Sequence, residues 1–97
     1  MESYKIPFST NDIYHPIRNR ILELLLGGRK NEEELIGELM LEKVLHDKSY
    51  FKYHINTLLQ AECVEQMDDF YFSLTRKGVV VLELLEFEIT KNEILIK

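Results

Sequence analysis

One stretch decides the fold that the sequence predicts: Asp47-Lys-Ser-Tyr-Phe-Lys-Tyr-His-Ile-Asn-Thr-Leu-Leu-Gln-Ala-Glu-Cys-Val64. Its apolar residues recur at the spacing of one helix face, and they are Phe51, Ile55, Leu58 and Leu59. The positions between them carry hydrogen-bonding side chains, namely Tyr50, Lys52, Tyr53, Asn56 and Thr57. Such side chains suit a helix that lies against phosphates and base edges. The stretch therefore predicts a helix over residues 47–61 with one buried side and one DNA-facing side.

Two further helices are predicted before this stretch. Pro16 is well placed in the first turn of a helix, where its missing N–H costs nothing. Gly27-Gly28 ends that helix with a residue in the left-handed conformation. Its buried stripe consists of Ile13, Ile17, Ile21, Leu24 and Leu25, and Arg18 and Arg20 lie off the stripe. The second helix covers residues 31–40, and its apolar face consists of Leu35, Ile36, Leu39 and Met40.

Polar residues stand where each of the three helices begins. The candidate N-caps are Asn11 or Asp12 for a slightly earlier start of the first helix, Asn31 for the second helix, and Asp47 or Ser49 for the third. Glu34 follows Asn31 by three residues, which is close to the pattern of a capping box. The acidic run Glu32 to Glu34 also suits the positive end of the helix dipole. We interpret this run as a solvated helix start, and an acidic docking surface is the alternative.

After Ala61 the hydrophobic period changes from that of a helix to that of a strand. Residues 64–67 and 70–74 flank Asp68-Asp69, which predicts a two-stranded hairpin with Phe70, Phe72 and Leu74 on one face. Thr75 caps a last helix over about residues 75–90. This helix is apolar nearly all round and needs cover on more than one side. We predict that it forms the interface of a homodimer through Val80, Leu84, Phe87 and Ile89, with the intramolecular core or a contact to a different protein as the alternatives.

Helix, helix, helix, hairpin and helix is the order of elements in a winged helix-turn-helix domain. The predicted fold class is accordingly α+β, mainly α, with three helices, a two-stranded wing and a C-terminal helix. Residues 1–97 form one domain, since a chain of 97 residues builds a single modest core.

Three short motifs carry a family resemblance: the run His15-Pro-Ile-Arg-Asn-Arg-Ile-Leu-Glu-Leu-Leu25, the set Ser49, Phe51, His54-Ile55 and Leu58, and the run Phe72-Ser-Leu-Thr-Arg-Lys-Gly78. The first two resemble the opening helix and the recognition helix of ArsR-type regulators. The third is similar to the end of the wing in many MarR-type and archaeal winged-helix regulators. Ala61-Glu-Cys-Val64 stands where such proteins usually have Ala-Gly-Leu-Val. The resemblance covers about residues 14–82.

What the resemblance implies is a homodimeric transcriptional regulator that binds double-stranded DNA sequence-specifically. Helix 47–61 would enter the major groove, and helix 31–40 would brace it across the backbone. The expected contacts are Lys48, Ser49 and Lys52 to phosphates, Tyr50, Tyr53 and Asn56 to base edges, and Arg76 and Lys77 to the flanking backbone. His54 matches the family's helix histidine and is expected to donate to a phosphate or a base, with local capping or packing as the alternative.

The chain departs from the family pattern at three places. Asp68-Asp69 at the wing tip would repel phosphates, so we do not expect the wing to enter the minor groove. Glu62 replaces the glycine that usually takes the left-handed conformation after the recognition helix. Cys63 is the single cysteine, which excludes a thiol-based metal sensor within one subunit; it is interpreted as an inert core residue, with a redox-sensitive thiol as the alternative. No metal or cofactor is expected, and no residue argues for a small-molecule effector.

Composition and charge bound the possible functions. With one cysteine there is no internal disulfide, no apolar run approaches the ~18 residues of a membrane span, and Met1 to Pro7 lack the plan of a signal peptide. We therefore expect a cytoplasmic protein without membrane contact. The net charge of −5 opposes DNA binding, so positive potential must be local to residues 43–53, which contain three lysines, and binding without dimerisation should be weak.

Two other function classes compete with DNA binding. An enzyme is not expected, because the chain has no phosphate loop, nucleophile motif or metal-ligand spacing. The alternative function is a winged-helix protein-interaction module without direct DNA reading, whose partner contacts would be Tyr50, Tyr53, Phe70 and Tyr71. The discriminating feature is whether Lys48, Lys52, Arg76 and Lys77 share one face or are interrupted by acidic residues.

Overall fold

Four helices and a small antiparallel sheet make up the part of the chain that the computed structural model describes, residues 15–67 and 70–85. In chain order the elements are α1 (Pro16–Leu26), β1 (Lys30–Asn31), α2 (Glu32–Leu41), α3 (Ser49–Gln60), β2 (Val64–Gln66), β3 (Tyr71–Leu74) and α4 (residues 76–85). The mainly helical α+β class is confirmed, and the predicted elements occur in the predicted order. The strand β1 was not predicted, because two residues are too few to show an alternating pattern.

Several predictions fall on residues outside the described ranges. They concern the caps Asn11 and Asp12, Ile13, the tip Asp68-Asp69, and the interface residues Phe87 and Ile89. Among the described residues, no helix is both long enough and apolar enough to cross a membrane.

The start and the end of α1 are set by local hydrogen bonding. The ring Nδ1 of His15 accepts a hydrogen bond from the backbone N–H of Ile17 at 3.1 Å, so a histidine caps this helix. Pro16 occupies the first helical position, as predicted. Gly27 ends the helix, and Gly28 follows with a φ of 139°, a backbone conformation that favours glycine.

The buried face of α1 includes an arginine. Ile21, Leu22 and Leu25 are buried, and so is Arg18. The prediction that Arg18 lies off the stripe was wrong, because Leu22 and Leu25 follow it by four and seven residues and share its face. Arg20 does lie off the stripe, where it donates two hydrogen bonds of 2.8 Å to the carboxylate of Glu42 and ties α1 to the end of α2.

A complete capping box begins α2. Asn31 Oδ1 accepts from the N–H of Glu34 at 2.8 Å, and Glu34 Oε1 accepts from the N–H of Asn31 at 3.0 Å, which confirms the predicted motif. Leu35 and Leu39 are buried. Met40 is exposed, contrary to the prediction, because it is rotated by about 100° from Leu39 around the helix axis.

The connection between α2 and α3 buries one leucine and prepares the next helix. Lys43 has a φ of 62°, and Leu45 turns into the core. Asp47 Oδ1 accepts from the N–H of Ser49 at 3.0 Å, and this backbone hydrogen bond lowers the pKa of the Asp47 carboxyl. Of the two candidate caps, Asp47 therefore bonds the first turn of α3.

The sheet places β3 between β1 and β2, with both neighbours antiparallel to it. Phe72 pairs with Lys30 on one side and with Gln66 on the other, and its ring is buried. Phe70 does not share the buried face of Phe72, contrary to the prediction. It is 74% exposed with a φ of 67°, because it precedes β3 and the strand alternation has not yet begun.

Two hydrogen bonds of Thr75 and a close backbone contact at Gly78 join α4 to the segment that follows α3. Thr75 Oγ1 donates to the carbonyl oxygen of Glu62 at 2.7 Å and accepts from the N–H of Gly78 at 2.9 Å, which caps α4 as predicted. Glu62 has a φ of 64°, so it takes the left-handed conformation predicted at this position. A Cβ at Gly78 would overlap the carbonyl oxygen of Cys63, so only glycine fits there.

One core lies between the helices and the sheet. Its buried apolar residues are Ile21, Leu22, Leu25, Leu35, Leu39, Leu45, Phe51, Ile55, Leu58, Cys63, Val64, Phe72, Val81, Leu82 and Leu85. Every described helix contributes to this cluster. The inner face of α3 is therefore packed against the rest of the domain, which fixes the position of its outer face. Of the predicted interface residues on α4, Val80 is half-buried and Leu84 is exposed.

Candidate nucleic-acid interface

The outer face of α3 presents polar and aromatic side chains to solvent. Tyr50 is 61% exposed and Tyr53 is 65% exposed. Ser49, Lys52 and Asn56 are exposed beside them. The opposite face is buried, so the division of this helix into two sides is as predicted. Exposed rings, an amide and an ammonium group on one face can contact base edges and phosphates.

The four cations that were predicted to contact phosphates differ in how accessible they are to DNA. Lys48 and Arg76 are exposed, whereas the side chain of Lys77 is largely buried. Lys77 Nζ lies 3.7 Å from Glu62 Oε1, and Lys52 Nζ lies 3.5 Å from Glu32 Oε1. Two of the four cations that were expected to hold phosphates thus have a carboxylate beside them, which interrupts the positive surface.

These two ion pairs differ in how easily a phosphate could replace the carboxylate. Lys52 and Glu32 are both exposed, and such pairs contribute about 0–1 kcal/mol because water screens them. Lys77 is held by packing of its side chain, and only Glu62 is highly exposed. A phosphate can compete for Lys52 with little loss, while Lys77 has less freedom to turn towards DNA.

His54 is part of the buried side of α3. It is 5% exposed, so the expectation that it donates to a phosphate or base was wrong for this fold. Its Nδ1 lies 3.0 Å from Arg18 Nη1, and its ring centroid lies 4.3 Å from that of His15. The alternative, local packing, describes its position, and the packing joins α3 to α1.

Burial and positive neighbours keep this histidine neutral. Burial lowers the pKa of His54 to about 4, and the positive charges of His15 and Arg18 add to the shift. Burial also lowers the pKa of His15, with Arg18 again contributing. An uncharged His54 ring can accept a hydrogen bond from the Arg18 guanidinium through Nδ1. The sequence analysis missed this cluster of His15, Arg18 and His54. The available signal was the spacing of Arg18 to Leu22 and Leu25, which is that of one helix face.

The single cysteine has the surroundings of a core residue. Cys63 is fully buried, and burial raises the pKa of its thiol to about 11, despite the opposing charge of Lys77. Reactive cysteines have a lowered pKa and partial exposure, so this position fits the interpretation of Cys63 as an inert core residue. Within residues 15–67 and 70–85, no group of three or more potential ligands is arranged to hold a metal ion.

The aromatic residues near the hairpin have different surroundings. Phe70 is exposed and lines the same hollow as Lys48, Ser49 and Lys52. Tyr71 is half-buried, and the Arg29 guanidinium lies 5.0 Å from its ring centroid. Phe70 is therefore accessible to a partner, whereas Tyr71 is partly covered by Arg29.

Comparisons of this chain with protein-family models, curated proteins and solved structures found no match.

Proposed function

We propose that this protein is a DNA-binding transcriptional regulator of the winged helix-turn-helix type, acting as a homodimer with α3 in the major groove. The observation that carries the proposal is the outer face of α3, where Tyr50, Tyr53 and Asn56 project beside Lys52 from a helix anchored in the core. A rigid helix with this face can read base edges without being reshaped.

The order of elements supports the same function. The connection of residues 42–48 joins α2 to α3, a hairpin follows, and α4 returns to the core. In helix-turn-helix proteins the second helix of the pair reads the major groove, which here corresponds to α3. The hairpin β2–β3 corresponds to the wing of such a domain.

The contact roles follow from exposure. Lys48, Ser49 and Lys52 would hold phosphates, and Tyr50, Tyr53 and Asn56 would meet bases, while Arg76 would grip the flanking backbone. His54 has no direct contact in this proposal; it holds α3 against α1. Lys77 would add a phosphate contact only after leaving Glu62.

Dimerisation is proposed through α4. Leu84 is an exposed apolar residue on this helix, and Val80, one turn earlier, is half-buried. Together with Phe87 and Ile89 these residues would form a self-complementary apolar strip. A two-fold dimer would present two copies of α3 to a palindromic site and compensate for the weak positive charge of each protomer.

A second candidate function is a protein-interaction module, and the two ion pairs favour it. Glu32 beside Lys52 and Glu62 beside Lys77 interrupt the positive surface that DNA needs. In that case Tyr50, Tyr53 and the exposed Phe70 would be contacts to a protein.

The deciding experiment is fluorescence-anisotropy binding to a duplex from the gene's own upstream region, over a salt series, with the molar mass measured by light scattering. Each neutralised phosphate changes the slope of log K against log salt by about −0.9. If all four cations of both protomers engage, the slope is about −7. If Glu32 and Glu62 keep Lys52 and Lys77, it is about −4. A dimer that ignores DNA at low salt would favour the interaction module instead.

A further inference from the structure

The outer face of α2 contains a glycine for which the described part of the fold shows no packing reason. Gly37 lies in the middle of α2, where glycine destabilises a helix by about 0.5–1 kcal/mol relative to alanine. A Cβ at this position would meet no described atom within 4 Å. Packing among the described residues therefore does not explain why this position is a glycine. The close approach of another molecule to the helix backbone would explain it.

Two exposed apolar side chains flank this glycine. Leu41 follows one turn later and is 79% exposed. Phe70 is 74% exposed and has a φ of 67°, which bulky residues rarely adopt. Gly37 and Leu41 line one hollow, Gly37 and Phe70 line the adjoining one, and Glu33 lines both. We call these two hollows, which share Gly37 and Glu33 and extend to Leu41 and Phe70, the α2 groove.

The charge of α2 selects the kind of molecule that fits. The helix carries four glutamates and neither lysine nor arginine. Glu33, Glu34 and Glu38 are exposed around Gly37, while Glu32 is beside Lys52. The described residues that line the groove also include three lysines, which stand on neighbouring segments and not on α2: Lys30, Lys48 and Lys52. A second copy that docked by a two-fold contact through this helix would bring the same carboxylates to it, so a cationic partner is the complementary one.

We propose that the α2 groove binds a cationic amphipathic polypeptide segment of another protein. Its apolar side chains would contact Leu41 and Phe70, its chain would approach the helix at Gly37, and its lysines or arginines would meet the carboxylates of α2. This inference does not depend on DNA binding. Lys48 and Lys52 lie at the Phe70 end, so the bound segment would compete with DNA for that end of α3.

The test uses the full chain and a fluorescein-labelled helical peptide of about 18 residues, with a stripe of leucines bordered on both sides by lysines. A glutamate–leucine peptide of the same pattern and an oligolysine of the same length are the probe controls. The parent is expected to bind the lysine–leucine peptide, to bind oligolysine much more weakly and to ignore the acidic peptide.

Gly37→Ala is the most informative variant, because its two expected effects have opposite signs. It should raise the melting temperature, since alanine favours the helix and its Cβ meets open space, and it should weaken peptide binding about fivefold or more. Phe70→Ala should also weaken binding, while Leu26→Ala is the matched control, since Leu26 is an exposed apolar residue outside the groove.

Four results would overturn the inference. They are unchanged peptide affinity in the folded Gly37→Ala variant, equal affinity for oligolysine and for the lysine–leucine peptide, equal affinity for the acidic peptide, and a parent dimer that Leu41→Ala dissociates. The last result would assign the groove to a second copy of the chain. Failure to bind DNA would refute the proposed function and leave this result standing.

Discussion

The two faces of α3 differ in what holds their residues in place. On the inner face, Phe51, Ile55 and Leu58 are fully buried among side chains of the core. On the outer face, Tyr50 and Tyr53 stand in solvent and contribute little to that core. One helix therefore has two roles. Its inner residues stabilise the fold, and its outer residues are available to contact a ligand. Substitutions should therefore separate into those that change stability and those that change binding.

The largest expected effect comes from the inner face. Phe51→Ala removes a fully buried ring that makes an edge contact with Phe72 at a centroid distance of 6.5 Å. It should lower the free energy of unfolding by about 3–5 kcal/mol, most of the stability of a small domain. Urea unfolding followed by circular dichroism measures this loss. Tyr50→Ala on the outer face is the control and should change stability by less than about 0.5 kcal/mol. Equal losses would mean that the two faces do not divide in this way.

The next effect is a pH dependence that belongs to the buried histidine. The pKa of His54 is about 4 in the folded chain, against 6.5 for a histidine in the unfolded chain. The unfolded chain therefore binds the proton more tightly. Stability should be unaffected by this group above pH 6.5, should fall as the pH drops through 6.5, and should be lower by about 2 kcal/mol near pH 5.

His54→Gln should remove most of this acid sensitivity, with a smaller part left to His15, and unfolding free energies at three pH values measure it. His46→Gln is the matched control, because His46 is exposed on the connection between α2 and α3. If both variants keep the full acid sensitivity, His54 is not its source.

Asn56→Ala tests the outer face as a reader of bases. It should weaken binding to the cognate duplex by about 1–3 kcal/mol and relax specificity at one position, because asparagine can make two hydrogen bonds to adenine. Stability should stay within about 0.5 kcal/mol of the parent, since Asn56 is exposed. Anisotropy titrations with cognate and scrambled duplexes measure the change. An equal loss on both duplexes would make Asn56 a backbone contact.

The smallest expected effect concerns the lysine on the same face. Lys52→Ala should weaken binding to every duplex and reduce the salt slope by about 0.9 for each bound protomer. Glu32→Gln should do the opposite and raise affinity slightly, because it removes the carboxylate 3.5 Å from Lys52. Salt-series titrations of both variants measure the slopes. If neither variant changes its slope, Lys52 does not contact a phosphate and the interaction module gains support.

Local patterns in the sequence determined most of the secondary structure. The spacing of Phe51, Ile55 and Leu58 placed the buried face of α3, and Asn31 with Glu34 gave the capping box of α2. Proline at the start of α1, glycine at its end and threonine before α4 each set a helix boundary through contacts with residues close in sequence. Such features are readable from sequence because their hydrogen bonds and steric limits involve near neighbours in the chain.

The tertiary structure decided which polar groups meet, and therefore which of them a ligand can reach. Arg18 and His54 are 36 positions apart in sequence, and Lys52 and Glu32 are 20 apart, so no local pattern could pair them. Packing of α1 on α3 buried His54, which removes it from the residues proposed to contact DNA, while the position of α2 put a carboxylate beside Lys52. Short-range patterns in the sequence were enough for the helices, the capping box of α2 and the two sides of α3, whereas the cap of α1 is His15 and was not predicted. Only the packing of those helices decided the charge and accessibility of the surface, because electrostatic contacts depend on distances between segments that are remote in the chain.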